Sequence, residues 1–167
     1  MRLWLSSILA FAVVAPAMAA PLGEPVHREG LVIAASAETG ITLDRTTNIM
    51  AAGPDAIFLV ADVRAAKDEA HGFAEHSFMP YLSISYSLTK DGAPTFKQAG
   101  LLYPAASKSG PRYGGAAQLA GPGTYQVTYI ISPPSTRGLY RQTDKAGGVP
   151  DWWKPISVSW SFSWPLK

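Results

Sequence analysis

The segment Ile156 to Trp164 reads ISVSWSFSW, with Ile156, Val158, Trp160, Phe162 and Trp164 at every second place and serines between them. A repeat of two puts all five apolar groups on one side of an extended chain and all four hydroxyls on the other. A helix would scatter them around its axis. The chain does the same from Tyr81 to Thr89 (YLSISYSLT), where Leu82, Ile84, Tyr86 and Leu88 alternate with Ser83, Ser85 and Ser87. Tyr125, Val127, Tyr129 and Ile131 make a third such stripe. Strands that are oily on one face must cover that face with another layer, so sheet packed on sheet is the solution they demand.

Other stretches complete the pattern. Residues 31–37 (LVIAASA) predict an early strand, which Ile41 to Leu43 can continue past Gly40. Residues 56–65 (AIFLVADVRA) are mostly apolar, as expected of a strand buried on both faces. Lys90-Asp91-Gly92 is a turn signal, and Thr95 to Leu102 can return beside Tyr81 to Thr89. Gly121-Pro122-Gly123 opens the strand that Pro133-Pro134 stops. No stretch sustains a capped period of 3.6. The expected fold is all-β, an immunoglobulin-like antiparallel β-sandwich of about seven or eight strands in a single domain. Ser132 to Lys154 is polar, glycine-rich and ends in Trp152-Trp153, which predicts an ordered functional loop.

The first residues predict export. Arg2 is followed by an apolar run from Leu3 to Pro16, too short to span a bilayer, and then by Ala17-Met18-Ala19, the small-x-small pattern of a signal-peptidase site. Residues 1–19 are read as a signal peptide and 20–167 as the mature domain, periplasmic and not inserted in the membrane. The chain has no cysteine, so the domain relies on its core and ladders, and thiolate ligands and cysteine nucleophiles are excluded. Losing Arg2 takes the formal charge from +2 to +1, too close to neutral for nucleic acid or an anionic membrane surface to be the main partner. The three histidines stand in no triad-like context, and no glycine loop precedes a helix, so catalysis is not expected.

Five stretches, in order along the chain, resemble one family. Phe78-Met79-Pro80-Tyr81-Leu82 with Ser83-Ile84-Ser85-Tyr86 is similar to a WMPYLTISY signature, and Ser109 to Gly114 (SGPRYG) to DGPHYG. Gly123 to Tyr129 leading to Ser132-Pro133-Pro134 resembles GxYxLTYHIxPP. Arg141 to Pro155 resembles RHxDxETGVxxWWxPF. Gly23 to Val26 with Leu31 to Ala35 resembles the family's opening strand. The family is that of the periplasmic iron-transport accessory proteins encoded with a high-affinity iron permease. The resemblance implies an immunoglobulin-like sandwich, a homodimer, an inner-membrane iron permease as partner, and a copper-type site that assists iron uptake.

Such a site uses imidazole and thioether donors for copper, with carboxylates added for iron. Aligned with the family's HMEP, this chain has Thr42-Leu43-Asp44-Arg45, which keeps only an acid. Aligned with HLEADIHA, it has Phe58 to Ala65, which keeps Asp62 and loses both histidines and the glutamate. The family histidines of GPHYG, YHI and RH become Arg112, Ile130 and Gln142. Met79, Asp44, His76 and Asp62 are the remaining candidate metal ligands, for copper or iron, and the substitutions point to a site lost or rebuilt. Arg112 is expected to pair with Asp44 or Asp62.

Each candidate also has a plain structural role open to it. Met79 suits a core filler, His76 a solvated loop, Asp44 a turn, and Asp62 a partner for backbone groups. His71, in a charged stretch, is expected at the surface, and His27 lies near the mature N-terminus. Trp152 and Trp153, with Tyr140, could stack on a sugar, but packing in the core or a dimer fits the pair better.

Overall fold

The computed structural model describes residues 19–44 and 51–166. The expected signal peptide, apart from Ala19, and Arg45 of the HMEP-like stretch lie outside the described residues. Nine strands form: β1 (Ala19–Pro21), β2 (Val26–Arg28), β3 (Leu31–Glu38), β4 (Ala56–Ala65), β5 (Ser83–Lys90), β6 (Ala93–Ser107), β7 (Gly110–Gln118), β8 (Gly123–Ser132) and β9 (Ile156–Trp164). A short 3-10 turn, Pro134–Arg137, follows β8.

All pairings are antiparallel. The first sheet runs from β1 and β2, both on one edge of β3, through β4 and β7 to the end of β6. The second runs from the start of β6 through β5 and β8 to β9. The 15-residue β6 belongs to both. Up to Leu102 it pairs with β5, and from Tyr103 it pairs with β7. One strand thus turns the corner that joins the two layers.

The alternating stripes fill the space between them. β9 reads buried and exposed in strict turn, and the inward residues of β5 and β8 are almost entirely out of water. Fully burying such a side chain contributes about 1.5–3 kcal/mol. Their polar tips reach across to the other layer. Tyr129 Oη donates to the Val60 carbonyl at 3.2 Å, Tyr86 Oη to Ala116 O at 2.9 Å, and Trp164 Nε1 to Asp55 Oδ1 at 2.8 Å. Because the hydroxyls are bonded, the rings can be buried without an orphaned donor. Burial pushes the Tyr86 phenol up to about 12 and raises Tyr113 and Tyr129 as well.

Three elements differ from expectation. β3 stops at Glu38 because Gly40 turns the chain in a left-handed conformation, so Ile41 to Leu43 form no strand. β6 runs five residues past Leu102. β7, with the unpromising sequence GPRYGGAAQ, is a central strand of the first sheet. Its glycines are packing residues: a methyl on Gly114 would overlap the Phe58 ring, and one on Gly115 would lie 2.5 Å from the Leu101 carbonyl. No helix among the described residues is long and apolar enough to cross a membrane.

Candidate functional site

β4 is buried on both faces over most of its length. Its inward residues Ile57, Leu59, Ala61 and Val63 belong to the core. Its outward residues Phe58 and Val60 stand where the resemblance places metal donors, and they are only 6% and 4% exposed. Neither can ligate anything, and what covers them is ionic. Glu38 closes β3 directly opposite Phe58, and Arg112 lies on β7 one step beyond the Ala61–Tyr113 pair. Their side chains meet across β4. Arg112 Nη1 donates to Glu38 Oε1 at 2.5 Å and Nη2 to Oε2 at 2.8 Å.

Glu38 is only 8% exposed. A guanidinium matches a carboxylate in this two-point fashion, with fixed geometry and a permanent charge. Both carboxylate oxygens accept from Arg112, whose fixed positive charge opposes a cation beside Glu38. The expected partners of Arg112 were Asp44 and Asp62, and the structure corrects this to Glu38. Asp62 is held instead by Arg64, whose Nε lies 2.6 Å from Asp62 Oδ1. Arg64 also sits 5.9 Å over the Phe78 ring. Asp44 is exposed in the loop beyond β3.

The four candidate ligands do not come together. Asp44 follows the end of β3 that faces Phe58, whereas His76 donates its backbone N–H to Ala65 O, at the opposite end of β4. Seven residues of strand separate those ends, about 23 Å. The His76 ring is 82% exposed, with Glu75 as its nearest acid at 3.6 Å. Met79 is fully buried, its N–H bonded to Val63 O and its carbonyl accepting from Tyr113 Oη at 2.8 Å. No group of three or more His, Asp or Glu side chains among the described residues gathers as a metal would require. The residues present at the family's donor positions do not fit a copper centre.

His71 is not at the surface. Its ring is 8% exposed and Nδ1 lies 2.7 Å from Glu69 Oε1, while the Glu69 carboxylate, 1% exposed, also accepts the backbone N–H groups of His71 and Phe73. The imidazole stacks on Trp152 at 4.3 Å between centroids and meets Trp153 edge-on at 5.6 Å. The tryptophan pair therefore packs against this loop, and Trp153 is part of the core. Farther along, Asp144 turns the segment before it. Its carboxyl is held below the usual range by the Gln142 amide and the N–H groups of Gly147 and Ala146. Arg141 closes the segment by pairing with Asp151 and donating to Val149 O. Tyr140 is 93% exposed.

The chain belongs to the Fe2+ transport protein family, whose model matches residues 17–165. A UPF0423 protein of Brucella abortus strain 2308 is 37% identical over 158 residues, covering 92% of this chain and 86% of the relative. Among solved structures, a copper-bound glutamate-to-glutamine variant of FetP from uropathogenic Escherichia coli strain F11 superposes with a TM-score of 0.82 at 36% identity, covering 89% of this chain and 98% of FetP. Copper-reconstituted P19 of Campylobacter jejuni gives 0.79 at 33% identity, covering 89% and 97%.

Glu38 is the functional-face residue that sequence reasoning missed. Its signal was present: it is an acid at the last place of an alternating strand, where the outward face continues.

Proposed function

We propose that this protein is an exported accessory of ferrous-iron uptake, working as a homodimer at the periplasmic side of an inner-membrane iron permease, with the family's copper position rebuilt as the Glu38–Arg112 ion pair. Family membership and the likeness to FetP and P19 support the uptake role. The signal-like start, Arg2 to Ala19, supports export and a mature domain of residues 20–167.

The observation that carries the reading is the two-point contact of Arg112 with Glu38 over Phe58 and Val60. A metal bound there would tie neighbouring strands together, and the ion pair does the same between β3 and β7 without an ion. The guanidinium keeps its charge at every physiological pH and repels a second cation. Ferrous iron is then cargo of the permease, and this chain contributes a rigid docking body.

The test is uptake of radiolabelled ferrous iron by iron-starved cells lacking the gene. Uptake should fall and be restored equally by the wild-type protein and by Met79→Leu, which conserves core volume. Unchanged uptake in the deletion strain would refute the accessory role. Failure of Met79→Leu alone would return Met79 to a ligand's part.

A further inference from the structure

Three of the stretches that carry the family resemblance meet at one cleft of about 550 Å³, which neither Glu38 nor Arg112 lines. They are Phe78 to Tyr86, Ser109 to Gly114, and the turn that follows Pro133-Pro134. The volume lies within the roughly 300–1,000 Å³ of clefts that hold small organic ligands. Its floor is aromatic, with Phe78 and Tyr113 stacked at 5.2 Å between centroids. Tyr81 and Tyr103, 55% and 41% exposed, stand at its rim. Among the described residues, Arg137 is the one charged side chain that lines it.

The rim is held in a strained shape. Tyr81 has a φ of 61°, in the left-handed region that a bulky side chain rarely adopts. Tyr113 fixes it there. Its hydroxyl donates to the Met79 carbonyl at 2.8 Å and accepts the Leu82 N–H at 3.0 Å, so one buried phenol grips the chain on both sides of Pro80-Tyr81. Backbone strain of this kind collects where a side chain is presented to a ligand. Arg137 is equally unused. Its one hydrogen bond runs from Nη2 to Ser83 Oγ at 3.4 Å, and no carboxylate pairs with it among the described residues.

We propose that this cleft binds a small aromatic carboxylate, with its ring against Tyr81 and Tyr103 and its carboxylate on Arg137. The two tyrosines offer flat apolar surface on which an aromatic ring stacks. The guanidinium offers a planar fork whose two N–H groups match the two oxygens of a carboxylate. A cationic ligand would be repelled, and a neutral one would leave the Arg137 charge unmatched. One unpaired positive charge suits a monoanion, because the lining holds no second cation to balance a phosphate ester. The site does not rest on the iron role, since binding is read on the isolated protein.

Isothermal titration calorimetry of the purified mature protein tests it, with naphthoate as the probe and naphthylmethanol as its neutral match. Naphthoate should bind one site with a Kd of about 1 mM or tighter, and the alcohol about 10-fold more weakly or worse. Arg137→Gln should weaken naphthoate about 10-fold or more and erase its advantage over the alcohol. Tyr103→Ser should weaken both ligands alike. Tyr81→Gly takes the left-handed turn without strain, so it should weaken both ligands while the melting temperature holds or rises. Lys97→Gln, paired with Thr89 toward the other end of β6, should change nothing. No saturable heat up to about 10 mM naphthoate, or an affinity that Arg137→Gln and Tyr103→Ser both leave unchanged, would overturn the proposal. An equal loss in Lys97→Gln would reduce the binding to diffuse charge attraction and overturn it as well.

Discussion

The outer faces of the two sheets are built on opposite principles. The first is closed over the middle of β4, where Phe58 and Val60 are buried beside the Glu38–Arg112 pair and Asp62 is taken by Arg64. A cleft of about 500 Å³ opens only at its edge, between Glu38, Ile41, Pro54 and Phe58. The second is open, a lawn of serine and threonine with an apolar end at Leu101 and Ile130. The closed face bears the positions at which the family resemblance places metal donors, and charge there has been matched within the chain. The open face has little charge to match and leaves Leu101 and Ile130 in water.

The sharpest way to break this contrast is to cut the ion pair. Arg112→Met leaves the Glu38 carboxylate buried without a partner and should cost about 3–5 kcal/mol in urea unfolding. Adding Glu38→Leu should recover most of that, since a well-packed apolar pair of similar volume is near neutral. A single substitution that costs under 1 kcal/mol would show the pair to be solvent-screened decoration.

Gly114→Ala tests how tightly the same face is closed. Its methyl meets the Phe58 ring and should destabilise by about 1–3 kcal/mol, read as a lower midpoint with unchanged slope.

Between the two faces, buried phenols join the layers, and alkaline pH tests them. Tyr86 titrates near 12 in the folded chain against about 10 when unfolded, so the folded state holds the proton longer. Its contribution is complete below pH 10 and is lost as pH rises toward 12. Allowing for solvent screening, this amounts to about 1–2 kcal/mol. Tyr86→Phe should flatten that alkaline slope, and an unaltered slope would place the titration elsewhere. At the small end, Ser159→Ala on the open face should change stability by under about 0.5 kcal/mol, because Ser159 Oγ bonds only Thr128 Oγ1 in water. A larger loss would mean that the hydroxyl lawn holds the sheet together.

The strands that alternate were legible from the sequence because one side of each is buried: β3, β5, β8 and β9 appear within a residue or two of expectation. β4 was legible for the opposite reason, an apolar run covered on both faces. β7 was not, because Gly114 and Gly115 read locally as turn residues and their purpose, room for Phe58 and for the Leu101 backbone, lies on other strands. The same holds for the site. The loss of donor residues could be read one position at a time, but the partner of Arg112 could not. Glu38 is 74 residues away, and β4 must be placed between them before the two can meet. His71 looked solvated among charges because Trp152, on which it stacks, is 81 residues farther along.

The central claim is that an ion pair stands where the family resemblance places copper donors, and direct metal loading tests it. Purified mature protein would be titrated with copper(II), copper(I) and ferrous iron and its bound metal counted, with Arg112→His alongside. The account predicts that the wild type binds no metal more tightly than about millimolar, a free energy of about −4 kcal/mol, with Arg112→His gaining at most a weak site. Stoichiometric micromolar binding by the wild type, lost on substituting Met79, Asp44, Asp62 or His76, would contradict it.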